Sequence, residues 1–281
     1  MTSTAFSFNL PLDVANMLHY GFMLHAFEAG SVVAVVAGVI GYFIVLRRSS
    51  FAAHALSHIG FAGAAGAVLL SVNPLLGLFA FTSAGGISIA ALGRNSGSRD
   101  VEIGTVLAFM LGLGILFISL YSGYATEAYS ILFGEILGIS STDVAITAAT
   151  GFLLLVAVVA IYRPLLFSSI DEAVAEARGV PVFRLNAAFM LLVAAATSIA
   201  VQVVGVLLIF ALMVTPAAIA ERVTRRPLHG LGVSVLVAVL ATWFGLFISF
   251  YLPYPVSFFI TSATFSAYLL VRFLTRRSVS T

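Results

Sequence analysis

The sequence predicts an all-α fold: a polytopic transmembrane bundle of about eight or nine spans, with residues 1–281 forming one domain. Three observations lead there. Hydrophobic residues make up 61% of the chain and charged residues only 9%, with a mean hydropathy of +1.14; a soluble domain carries about 25% charge. The charges gather in clusters, leaving no Arg, Asp or Glu from Ser49 to Gly93, from Leu185 to Ala220, or from Pro227 to Val271. At about 20 residues per span, the length admits roughly eight to ten crossings.

The elements follow in order. Residues 22–46 form an apolar run closed by Arg47 and Arg48. The neutral stretch after them is too long for one crossing of a ~30 Å hydrocarbon core at about 1.5 Å per residue. Asn73-Pro74 splits it into spans 51–71 and 75–93. A fourth span covers 103–120, and a fifth, 143–163, begins at Asp143 behind Ser140, Ser141 and Thr142. The neutral stretch from Leu185 divides near Val204-Gly205 into 186–203 and 205–221, and Pro253-Tyr254-Pro255 separates 231–251 from 255–273. Segment 130–138, which includes Glu135, is too short to cross and reads as a re-entrant or interfacial helix.

All 13 basic residues are arginine. With nine spans they fall on one side of the membrane, which the positive-inside rule makes cytoplasmic. The N-terminus is then outside and the C-terminus inside. Residues 1–20 contain no Arg or Lys and so lack the positive region of a signal peptide; Asp13, His19, His25 and Glu28 read as an outward-facing lead-in. Glycines at 60, 63 and 66, at 85 and 86, and at 112 and 114 have the spacing of close helix packing in lipid.

Two absences limit the chemistry. With no cysteine, thiolate metal sites and disulfides are excluded. With no lysine, the chain lacks the residue a P-loop needs at its phosphates, so any ATP-driven activity requires a partner subunit. No nucleic-acid partner is expected, and no permanently bound cofactor.

Residues 168–184 (SSIDEAVAEARGVPVFR) contain a capped helix. Ser169 and Glu172 have capping-box spacing, Asp171 and Glu172 lie at the positive end, Arg178 lies at the negative end, and Gly179 with Pro181 is a stop signal. The apolar face is mostly Ala and Val, including Ala175. That is too weak for interfacial anchoring and suits a groove in another protein.

His54 and His58 are four residues apart on one helix face. Ionisable groups inside a membrane are costly and tend to face a cavity or pathway, and a neutral imidazole is a common metal ligand. The spacing alone leaves two readings open: the pair holds a borderline cation, or it hydrogen-bonds neighbouring helices. His229 reads as solvated. Pro216 interrupts the seventh span, where it removes a backbone donor and provides a hinge.

Four runs in register carry a resemblance: VLRRSSFAAHALSHIGFAG (45–63), ILFGEILGISSTD (131–143), DEAVAEARGVPVFRLN (171–186) and QVVGVLLIFALMVTPAAIA (202–220). The chain resembles the permeases of metal-type ABC transporters, the ABC-3 family, over about residues 22–272. The resemblance implies a type II ABC importer-like permease in the bacterial cytoplasmic membrane. It also implies a second permease subunit (a homodimer), a cytoplasmic ATP-binding subunit and an extracytoplasmic metal-binding protein. The substrate would be a divalent Zn, Mn or Fe ion. By the same resemblance, 169–180 is the coupling helix that meets the ATPase through Asp171, Glu172, Ala175, Arg178 and Gly179. His58 falls on the family's histidine, while His54 replaces an acidic residue and Ala62 a proline. Imidazole in place of carboxylate favours Zn or Fe over Mn by ligand preference.

Two rival functions have their own signatures. A permease for a metal chelate shares the coupling logic but gives no reason for paired histidines. An ion-coupled secondary transporter predicts inverted repeats and buried carboxylates, and neither is visible in the sequence.

Overall fold

The computed structural model describes residues 14, 16–92, 99–121, 134 and 136–277. These residues form α1 (Gly21–Leu46), α2 (Ser50–Leu69), α3 (Pro74–Leu92), α4 (Arg99–Leu120), α5 (Ser141–Ile170), α6 (Glu172–Ala177), α7 (Val182–Val204), α8 (Val206–Val223), α9 (Pro227–Tyr251) and α10 (Val256–Arg277). No strand occurs among the described residues. Eight of the helices, all but α6 and α8, are long and apolar enough to cross a membrane. Of segment 130–138, only Gly134 and residues 136–138 are described, the latter as a turn and bend; Glu135 lies outside the described residues.

α1 is the central post, packed against α5, α7, α8 and α9. Seven of its fifteen buried positions are Ala or Gly: Ala26, Ala29, Gly30, Ala34, Ala37, Gly38 and Gly41. Lipid supplies no hydrophobic force between helices, so association relies on close van der Waals contact. Small side chains permit that contact. A Cβ on Gly41 would collide with the Met213 carbonyl of α8, and one on Gly38 would stand 2.7 Å from the Val235 Cα of α9.

α2 is the second buried element, packed against α3, α4, α7 and α8. Gly63 meets the Gly77 carbonyl of α3, and Gly66 and Gly114 each lie against a phenylalanine of the facing helix, Phe117 and Phe61. The expected packing role of the glycines therefore holds at these positions. Gly112 differs, since its Cβ would meet nothing within 4 Å.

Side-chain ties fix the direction of the helices. Arg47 at the end of α1 donates to Ser168 and Ser169 at the end of α5 and to Asn186 at the start of α7, so these ends share one face of the bundle. Ser234 Oγ donates to the Gly38 carbonyl and Trp243 Nε1 to Ser31 Oγ, so α9 runs antiparallel to α1. At the opposite face, Gln202 Nε2 donates to Asp143 Oδ1, joining the end of α7 to the first turn of α5. Gly205 then turns the chain, and α8 returns towards the arginine-bearing face. The turn has φ 81° and ψ 163°, a region open essentially to glycine alone.

Two boundaries differ from the sequence reading. α5 passes through Pro164 and ends at Ile170 rather than near residue 163. Its last turn is held from outside, by Arg47 on Ser168 and Ser169, and this offsets the backbone hydrogen bond that proline removes. α6 is six residues long, shorter than the 169–180 expected for a coupling helix. Its cap is Asp171, whose Oδ1 accepts from Val174 N at 2.9 Å, because the Ser169 hydroxyl is engaged on the Leu165 carbonyl inside α5. Gly179 ends α6 at φ 82°. Gly179 N bonds to the Glu176 carbonyl and Val180 N to that of Ala175, the paired bonds of a Schellman motif.

Candidate functional site

α2 leaves a tight turn at Arg47–Ser49. Ser49 N bonds to the Ile44 carbonyl and Arg48 N to that of Val45, with Arg48 at φ 53°. His54 and His58 therefore stand about 6 and 12 Å along the axis from Ser50. Their ring centroids are 4.6 Å apart at 85°, and Phe210 of α8 places its ring 4.7 Å from His54. Both imidazoles are half-buried. His54 Nδ1 is buried and has no hydrogen-bond partner in the structure, so the alternative reading, a histidine engaged on a neighbouring helix, is not met at this atom. An unpartnered buried nitrogen is costly, and a cation that accepts its lone pair relieves that cost.

The pair is incomplete by itself. No group of three or more His, Cys, Asp or Glu able to hold a metal ion occurs among the described residues, so one chain offers two nitrogen donors here. A cavity of about 1100 Å³ lies elsewhere, between α1, α9 and α10. Its lining includes Phe27, Trp243 and Phe247 and contains no titratable side chain, which makes it unsuited to an ion.

At the arginine-bearing face, Asp171 and Glu172 open α6, Ala175 is fully buried and Arg178 is exposed at its end. Gly179 has open space around it. Pro216 lies inside α8 without ending it. Asp143 completes a capping box on α5: Ser140 Oγ accepts from Asp143 N, and Asp143 Oδ2 accepts from Ser140 N. Sequence reasoning placed the histidines and the capped helix but missed Phe210, Gln202 and the bridging role of Arg47. A polar residue within an apolar run is a visible signal for Gln202. Phe210, among many apolar neighbours, gives none.

Apolar helices of crossing length, packed around two buried posts with paired imidazoles on one of them, define a polytopic membrane protein with an ionisable site inside its bundle. The family model for the ABC 3 transport family matches residues 19–275, and the chain belongs to that family, whose members are transport permeases. It is 31% identical over 242 residues to the manganese transport system membrane protein MntC of Halalkalibacterium halodurans, covering 86% of this chain and 83% of the relative. It is also 31% identical to the manganese import system permease protein ScaB of Streptococcus parasanguinis, over 90% of this chain and 91% of the relative. Among solved structures, it superposes on a chain of PsaBC from Streptococcus pneumoniae, solved in complex with a Fab, with a TM-score of 0.83 and 29% identity. That match covers 93% of this chain and 95% of the other.

Proposed function

We propose that this chain is the membrane-spanning permease of an ATP-driven importer of a divalent transition-metal ion, with Mn, Fe and Zn as the candidate substrates. The observation that carries the proposal is the His54–His58 pair, with a buried nitrogen left unpartnered, in a chain whose relatives are named as manganese permeases. Each chain supplies two imidazoles, and a second permease subunit related by twofold symmetry supplies two more. Four neutral nitrogens suit a borderline cation. His54 in particular adds a softer donor than a carboxylate would, which extends the range from Mn towards Fe and Zn.

The power source is a separate cytoplasmic ATPase that docks on α6 through the exposed Asp171, Glu172, Arg178 and Gly179; Ala175, expected among these contacts, is fully buried within this chain and packs inward instead. An extracytoplasmic binding protein delivers the ion to the opposite face. The arginine-bearing face is cytoplasmic by the positive-inside rule, with the N-terminus outside and the C-terminus inside. Pro216 lets α8 bend as the path changes from outward- to inward-facing.

Cellular metal content by elemental mass spectrometry tests the site. Wild type is compared with His54→Ala and His58→Ala, the cognate ATPase being co-expressed and Mn, Fe and Zn each limiting in turn. A selective fall of one metal in both variants names the substrate. Unchanged contents would make the histidines structural and favour chelate import. Gly179→Pro tests the coupling: proline cannot adopt φ 82° and removes the amide that bonds Glu176. Transport should stop while membrane insertion persists.

A further inference from the structure

Arg47 lies where three separate parts of the chain meet. Its Nη1 donates to Ser168 Oγ at 2.9 Å and to Ser169 Oγ at 3.3 Å, and its Nη2 donates to Asn186 Oδ1 at 3.3 Å. The guanidinium carbon also sits 5.6 Å from the ring centroid of Phe189, which is fully buried. Ser168 and Ser169 each donate their own hydroxyl proton to the Leu165 carbonyl, which leaves oxygen lone pairs free to accept from the arginine. The acceptors therefore come from both stems of the α6 excursion: the end of α5 immediately before it and the first turns of α7 after it.

The other end of Arg47 is covalent. It is the C-cap of α1, and two backbone bonds tighten the link from Arg47 to Ser49. Ser49 is buried, its hydroxyl donates to the Arg47 carbonyl, and its own carbonyl accepts from Ala53 N in the first turn of α2. One residue thus ties both stems of α6 to the root of the helix that carries His54 and His58.

We propose that Arg47 is a positioning residue, the strut through which movement of α6 reaches the histidine-bearing helix α2. This role rests on the reading of α6 as the ATPase-docking helix. A planar guanidinium fits the task because its rigid fork of donors engages both stems at once, while an ammonium is a single point charge on a flexible stem. When α6 is displaced, α5 and α7 move as a pair, and the fork carries that movement to the α1–α2 turn. Without the fork, α6 still docks and ATP is still hydrolysed, but the displacement no longer reaches the site.

The test uses the permease reconstituted in proteoliposomes with its cognate ATPase and binding protein, with Mn²⁺ as the probe ion. ATP hydrolysed per ion imported is the readout. Arg47→Lys should keep assembly and hydrolysis near wild type while import falls about tenfold, so that the ratio rises by about the same factor. Asn186→Ala, which unties one stem only, should raise the ratio by a smaller amount; it also carries the test if Arg47 variants fold poorly. An unchanged ratio in both variants, or hydrolysis and import falling by the same factor, overturns the strut. A wild-type complex that hydrolyses ATP but imports no Mn²⁺, Fe²⁺ or Zn²⁺ overturns the metal-import reading instead, and the role of Arg47 with it.

Discussion

Gly134 and Gly205 meet backbone to backbone, each at positive φ (73° and 81°): a Cβ on Gly134 would stand 2.5 Å from the Gly205 nitrogen. Gly205 makes the turn between α7 and α8, and Gly134 packs against that turn from the segment preceding α5. Gly205→Ala meets the strain of a backbone region nearly closed to L-residues, about 1–3 kcal/mol. Gly134→Ala adds a direct collision. Both variants should lower the thermal unfolding midpoint in detergent, and Gly232→Ala inside α9, where a Cβ meets nothing within 4 Å, serves as the control that should show no fall.

The amide of Gln202 binds Asp143 beside this turn. Gln202→Ala should cost about 1–3 kcal/mol, the range for leaving a buried polar group without its partner. Gln202→Glu should cost more, since it sets a second carboxylate against the first. Thermal unfolding of the two variants side by side gives the order, and equal losses would indicate that the contact is not formed.

Phe210 meets His54 in an edge-type ring contact, with centroids 4.7 Å apart and planes at 63°. Phe210→Ala frees the imidazole to rotate and opens space beside it, so uptake of radioactive manganese should fall severalfold, whereas Phe210→Tyr keeps the ring and should retain uptake. Loss in both variants would assign Phe210 to the packing of α8 instead.

Asp171 caps α6 through Val174 N. Asp171→Ala removes about 1 kcal/mol of local stability, while Asp171→Asn retains most of the cap. Hydrogen exchange of the amides at 172–178 should speed up about fivefold in the alanine variant and little in the asparagine variant, with the transmembrane helices unaffected.

Much of this architecture is legible in the sequence because lipid makes composition and length decisive. Asn73-Pro74 and the Pro253–Pro255 turn mark helix ends to within about a residue of those observed, α3 starting at Pro74 and α10 at Val256. Gly205, the weakest break in the sequence, is the true one, for the conformational reason given above. Errors arise where a distant partner overrides a local signal. Arg163-Pro164 resembles an exit from the membrane, yet α5 continues because Arg47, 121 and 122 positions from the serines it binds, secures its last turn. Ser169 has capping-box spacing to Glu172 but is already committed inside that turn. At the site, helical spacing places His54 beside His58, but the approach of Phe210 depends on how α8 crosses α2, which no local pattern encodes.

The length of α5 has one further consequence. Between Asp143 and Arg163 the helix is uncharged over a run of about 28 Å, close to the ~30 Å of hydrocarbon, and the rest of its 30 residues continue for about another turn and a half to two turns beyond Arg163. α6 therefore stands clear of the acyl chains, at the depth of the lipid headgroups or past them. On the proposed reading of α6, its partner would grip it from the aqueous side without desolvating its own surface against lipid, and that docking should depend little on which lipids surround the bundle.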